Sequence, residues 1–136
     1  MDITNLSCMI RSAIQSVAGC YITTTDKKKL GFVPKNKWDI KWGQVDVNET
    51  KIRIVIDTIP GKYTEEEIRE NIELPLRLKG SRTTGFLIKK TNNSAPSHDA
   101  IEISIYKNYL STYSSRKLLD FIQSCAVDSS FKTKPS

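Results

Sequence analysis

The sequence predicts an α+β fold: a single domain with a mainly antiparallel sheet of about five strands and helices on one face, in the order α-β-β-β-α-β-β-α. Three observations lead there. Near the start, Leu6, Met9, Ile10, Ala13, Ile14 and Val17 recur at three- and four-residue steps, the period of an amphipathic helix. Isoleucines at 52, 54 and 56, and again at 101, 103 and 105, alternate instead, the period of strands with one buried face. Between them, Thr64-Glu-Glu-Glu67 followed by Ile68 and Ile72 marks the start of a second helix. A chain of 136 residues can bury about two-thirds of its unfolded surface in one core without metals or disulfides.

In the first helix Arg11, Ser12, Gln15 and Ser16 take the side opposite the apolar stripe, and Gly19 provides the stop. Residues 20–24 have the β-branched and aromatic content of a strand, and 26–31 read as a charged turn. A strand is expected within 38–47, where Trp38, Ile40 and Trp42 alternate, and another over 51–57. A turn at Asn48-Glu49 makes these an antiparallel pair. Pro60-Gly61 is the next turn. Thr64 then satisfies a free helix amide while Glu67 reaches back, Tyr63 and Ile68 form a hydrophobic staple, and three glutamates meet the positive end of the helix dipole. Pro75 cannot sit inside a helix, so this one stops near Glu73. Residues 74–80 read as an extended connector or edge. Residues 84–90 read as a strand, 92–99 as a polar loop and 100–107 as a strand. Ser114 or Ser115 caps a final helix carrying Leu118, Leu119, Ile122, Cys125 and Ala126. The domain spans 1–128; residues 129–136, with little to pack beyond Phe131, are expected to form a flexible tail.

No apolar run approaches the roughly 20 residues of a membrane span. The first 15 residues carry an early acid and an amphipathic pattern rather than a basic region and an apolar block, so a secretory signal is not expected and an intracellular (cytoplasmic or nuclear) location is. Cys8, Cys20 and Cys125 are odd in number and far apart, which fits neither a disulfide framework nor paired zinc-ligand steps; no metal and no other cofactor is expected. The one histidine, His98, lies in a polar loop beside Asp99, with no nucleophile in a recognisable arrangement. The run Gly80-Ser-Arg-Thr-Thr-Gly85 has the glycine spacing of a phosphate loop. However, Phe86 and Leu87 stand where the phosphate lysine and the magnesium-binding hydroxyl belong, which leaves a turn with Arg82 able to cradle an anion. Asp39 followed by Glu49-Thr50-Lys51, with Asp57 beyond, has the spacing of a metal-dependent nuclease, but such triplets are frequent in so charged a chain. A non-enzymatic protein is expected.

Charge placement is more informative. There are 21 Lys and Arg against 15 Asp and Glu, a net +6. No acid stands between Glu73 and Asp99, where Arg77, Lys79, Arg82, Lys89 and Lys90 gather. Lys27, Lys28 and Lys29 form a second cluster, with Lys35, Lys37 and Lys41 beyond, and Arg116-Lys117 open the last helix. The opposite charge concentrates in Glu65, Glu66, Glu67, Glu70 and Glu73. Such segregation predicts a basic face that binds nucleic acid, RNA rather than DNA, through phosphates and with little sequence preference. Trp38, Trp42, Tyr106, Tyr109 and Tyr113 are candidates for base stacking, although two tryptophans on one strand face equally suit a core.

A strand, Ala95-Pro96-Ser97-His98, a second strand and Ser115-Arg116-Lys117 opening a helix resemble the double-stranded-RNA-binding domain. That resemblance implies RNA contact by His98 and the helix start. It covers under half of the chain and departs at Ala95, where the family has glycine, and at Leu118-Leu119, where it has small residues. The alternative is an adaptor or layer-forming assembly protein, matrix-like. Such a protein works through a protein partner, a homo-oligomer or peripheral contact with an anionic membrane, using the first helix or the 74–78 edge.

Overall fold

The two isoleucine series meet at the centre of the sheet. In the computed structural model, which describes residues 1–24, 30–91 and 97–133, Ile52, Ile54 and Ile56 of β4 (Lys51–Thr58) stand opposite Ile105, Ile103 and Ile101 of β6 (His98–Tyr106). All six are buried. The remaining elements are α1 (Ile3–Gln15), β1 (Tyr21–Thr24), β2 (Phe32–Lys35), β3 (Gly43–Val47), α2 (Glu65–Ile72), β5 (Gly85–Thr91) and α3 (Arg116–Asp128). The six strands lie in the order β1-β2-β3-β4-β6-β5, each antiparallel to its neighbours. Helix α3 packs on α1, on α2 and on β4, so the helices stack over the isoleucine face. Leu6, Ile10 and Ile14 of α1, Ile68 and Ile72 of α2, and Leu118, Phe121 and Ile122 of α3 close one core there with Phe32, Val45 and Phe86.

The α+β class is as the sequence predicts, with one more strand than the five expected: four strands, not three, separate α1 from α2. The added strand is β2, four residues long and interrupted by Pro34. Proline has no amide for a ladder, and the partner strand yields to it. The three steps from Phe32 to Lys35 face four from Val45 to Lys41, a bulge beside the missing donor. The same irregularity corrects the tryptophans. Residues 36–40 form a turn with Asp39 at φ 62°, so Trp38 stands 48% exposed while Trp42, at 1%, is in the core.

That turn is organised by Asn36, which is buried. Its Oδ1 accepts from the amides of Trp38 (2.9 Å) and Ile40 (3.0 Å), and its Nδ2 donates to the carbonyls of Ser129 and Lys132 (2.9 Å each). The segment after α3, expected to be a flexible tail from 129, is therefore held as far as Lys132. Ser129–Phe131 make a 3-10 turn, and the buried Lys132 places Nζ 2.5 Å from Asp57 Oδ2. Nothing in the tail sequence names Asn36 as its partner.

Helix α2 starts as its capping box prescribes: Thr64 Oγ1 accepts from the Glu67 amide (3.2 Å), and Glu67 Oε1 accepts from the Thr64 amide (3.3 Å). Its last residue is Ile72, followed by Glu73 in the left-handed conformation, φ 54°. At α3 Ser115 is the residue before the helix, but its hydroxyl makes no capping bond. At α1 the cap is Asp2, whose Oδ1 accepts from the Asn5 amide at 2.7 Å. Among the described residues no helix is long and apolar enough to cross a membrane.

Candidate nucleic-acid interface

The basic stretch after α2 first serves the sheet. Beyond the buried Leu74, the chain runs along the outer edge of β5, where the Phe86 amide donates to Pro75 O and the Arg77 amide to Phe86 O, both at 3.0 Å. Gly85 permits this approach, since a Cβ there would lie 2.6 Å from Pro75 O. With its backbone so fixed, Arg77 reaches across the face opposite the helices to Glu102 on β6, 2.6 Å from Nη2 to Oε1. Arg53 Nε meets the same oxygen at 3.2 Å, and Lys89 Nζ meets Oε2 at 2.5 Å. Burial alone would raise the Glu102 carboxyl, but the bonds from Lys89 and Arg53 hold it down to about 2.

Three cations thus converge on one buried carboxylate, with Asp46 3.5 Å from Arg53 at the margin. The side chain of Arg77 is 10% exposed and also donates to Ser81 O. Its guanidinium is thus engaged within the sheet, where its place in the basic run predicts a phosphate contact. Lys89 shares this pairing from a more exposed position, and Lys117 pairs with Glu73, just past α2, at 2.8 Å.

Lys79, Arg82, Lys90 and Arg116 are exposed. They do not form one patch. Arg82 precedes Gly85, which lies opposite Ser104 at one end of the sheet, whereas Lys90 lies opposite Asp99 at the other. At about 3.4 Å per residue, the two ends of β5 are roughly 20 Å apart. Lys27, Lys28 and Lys29 lie outside the described residues.

At the first of these ends Arg82 lines a cleft of about 340 Å³ with Thr83, Thr84, Tyr106, Asn108 and Tyr109. Thr84 Oγ1 accepts the Tyr106 amide at 2.9 Å and so ties the loop to the end of β6. Lys51 Nζ sits 5.5 Å from the centre of the Tyr106 ring. Tyr109 leans on Tyr113, ring centres 5.7 Å apart, and the Tyr113 hydroxyl is committed to Ile72 O at 2.5 Å. Of the five aromatics considered for stacking, Tyr106 and Tyr109 therefore share a cleft with a cation. Lys51 was the part least legible in the sequence: only the β4–β6 register, Lys51 opposite Tyr106, brings it here.

The catalytic arrangements separate in space. Glu49 is in the turn that joins β3 to β4, and Lys51 and Asp57 are six residues apart along β4, about 20 Å. Among the described residues no three His, Cys, Asp or Glu side chains are grouped to hold a metal ion. His98 opens β6 rather than standing in a loop, with Nε2 3.5 Å from Asp57 Oδ1. This removes the loop histidine on which the resemblance to the double-stranded-RNA-binding domain rests. Compared with protein-family models, with curated proteins and with solved structures, the chain finds no match in any of the three.

Proposed function

We propose that this protein binds single-stranded nucleic acid, RNA in preference to DNA, with low sequence specificity and without catalysis. The observation that carries the reading is the cleft beside Arg82, where a cation, two tyrosine rings and neutral hydrogen-bonding groups converge. Arg82 takes a phosphate, with Lys79 of the preceding segment adding to the local potential. The rings of Tyr106 and Tyr109 offer a face to an unstacked base, which every base can use and which a duplex does not present. Thr83 and Asn108 supply partners for a ribose hydroxyl, the group that separates RNA from DNA. Lys89, held by Glu102, and Lys90, at the far end of β5, lie outside this contact, and Arg116 and Lys117 are the remaining cations of the reading.

The test is fluorescence anisotropy with labelled single-stranded RNA, single-stranded DNA and duplexes of equal length, at two salt concentrations. Binding that favours the single strand and weakens steeply with salt is expected. Arg82→Gln lowers the salt slope by about 1 and weakens binding uniformly across sequences. Absence of binding at low salt, or an unchanged slope in Arg82→Gln with the fold intact, overturns the proposal. An assembly role is a second reading, favoured by the opposite edge of the sheet.

A further inference from the structure

The two edges of the sheet are treated differently. Outside β5 the chain lays Pro75–Arg77 along the strand and pairs both backbone groups of Phe86, and the rest of that strand carries Lys89 and Lys90. At the other edge stands β1, paired on one side with β2. Which of its backbone groups face outward follows from Pro34. The Trp42 amide donates to Pro34 O at 3.2 Å, so the Pro34 carbonyl points toward β3. Backbone groups alternate sides along a strand, so those of Val33 and Lys35 point to β1, where they face Thr23 and Tyr21. Ile22 and Thr24 therefore turn their N–H and C=O groups away from the sheet. Two donors and two acceptors, spaced for a strand, lie at this edge, and among the described residues nothing pairs with them.

Edges of this kind are usually blunted by shortness, charge, proline or a bulge. β1 is short, but residues 20–24, Cys-Tyr-Ile-Thr-Thr, carry no charge, proline or bulge, and Tyr21, Thr23 and Thr24 are exposed. We propose that β1 is a self-association edge, at which a second copy of this chain adds its own β1 in antiparallel fashion. Electrostatics permits a copy as the occupant. Two copies of net charge +6 repel on average, but 20–24 carries no charge, so this pairing sets no like charges opposite one another. The pairing is also self-complementary. In the register centred on Ile22, Ile22 meets Ile22 of the copy, Tyr21 meets Thr23 and Cys20 meets Thr24. Each of these is an aromatic, β-branched or small residue suited to cross-strand contact. A four-residue strand makes a small interface, so the dimer belongs to the weak, concentration-dependent class.

The experiment is sedimentation velocity, without nucleic acid, from micromolar to millimolar protein, on the wild-type chain and two variants. Thr24→Pro removes an outward amide and leaves the β1–β2 ladder intact, because the Thr24 amide takes no part in it. Thr23→Lys leaves the backbone untouched and sets a charge opposite Tyr21. A wild-type mass that rises toward the dimer, with association at least tenfold weaker in both variants and unchanged circular dichroism, is the expected result. Wild-type protein that stays monomeric throughout, or dimers that persist unchanged in Thr23→Lys, overturns the proposal. If Thr24→Pro fails to fold, Thr23→Lys decides alone. A monomer that binds an added extended peptide at this edge assigns the edge to a different protein and refutes self-association.

Discussion

Replacing Glu102 by glutamine keeps the shape of the side chain and removes the one charge that Arg53, Arg77 and Lys89 share. The size of the effect can be worked from the carboxyl itself. It is held near 2 against an ordinary 4.5, and each unit is worth about 1.4 kcal/mol, so the charged form contributes about 3 kcal/mol to folding. Because the folded value is the lower one, this contribution is complete above about pH 4.5 and is lost as the pH falls toward 2. The substitution also strands the cations. Water relieves Lys89, whose side chain is 50% exposed, but not Arg77 at 10%. Urea unfolding of both proteins should therefore differ by about 3 kcal/mol near neutrality, and the gap should narrow steadily through the acid range. Stability curves that run parallel from neutrality to about pH 2.5 would refute the assignment of this charge as the sheet's counterion.

Asn36→Ala removes four hydrogen bonds at a buried position and should destabilise the chain by about 3 kcal/mol. Amide hydrogen exchange should show residues 129–132 released ahead of the core; uniform loosening would contradict the anchoring role. Thr64→Ala should cost about 1 kcal/mol by denaturant unfolding, since the α2 cap loses the bond to the Glu67 amide. The thiol of Cys125 is pushed up to about 12 by burial, whereas Cys8 is exposed. A thiol reagent followed by peptide mapping should therefore modify Cys8 in the native protein and Cys125 only on unfolding. Equal rates at the two positions would contradict the packing of α3.

What the sequence made legible was what is local or periodic. The α2 start follows from four consecutive residues, Thr64 to Glu67, whose partners lie within hydrogen-bond reach along the chain. The isoleucine strands follow from a two-residue period. What stayed hidden depends on pairs distant in sequence. Strand β2 is four residues with a proline and carries too short a period to read. Asn36 and Ser129 are 93 positions apart, and nothing near either announces the other. Arg77 looked like a ligand contact because its run lacks acids, yet its counterion is Glu102, 25 positions on, beyond the end of that run. The site was therefore less legible than the fold: the loop with Arg82 and the tyrosines could be named, but not the register that gathers them.

The fate of Arg77 and Lys89 carries a general consequence for this chain. An antiparallel sheet can leave one face to water, and β6 has helices over one of its own. On the other, Ala100, Glu102 and Ser104 are nonetheless buried. Long cationic side chains from β4, from β5 and from the edge segment reach Glu102 there, and stems of that length can cover the strand they span. Part of the positive charge that the sequence concentrates between Glu73 and Asp99 is therefore engaged on this face of the sheet. On the proposed reading, the cations that meet a polyanion are those whose backbone lies past the ends of the strands, where no carboxylate can be set opposite them by register. Arg82 satisfies that condition and has aromatic rings beside it. Binding is accordingly expected at the end of the sheet, across the cleft, and not over its open face.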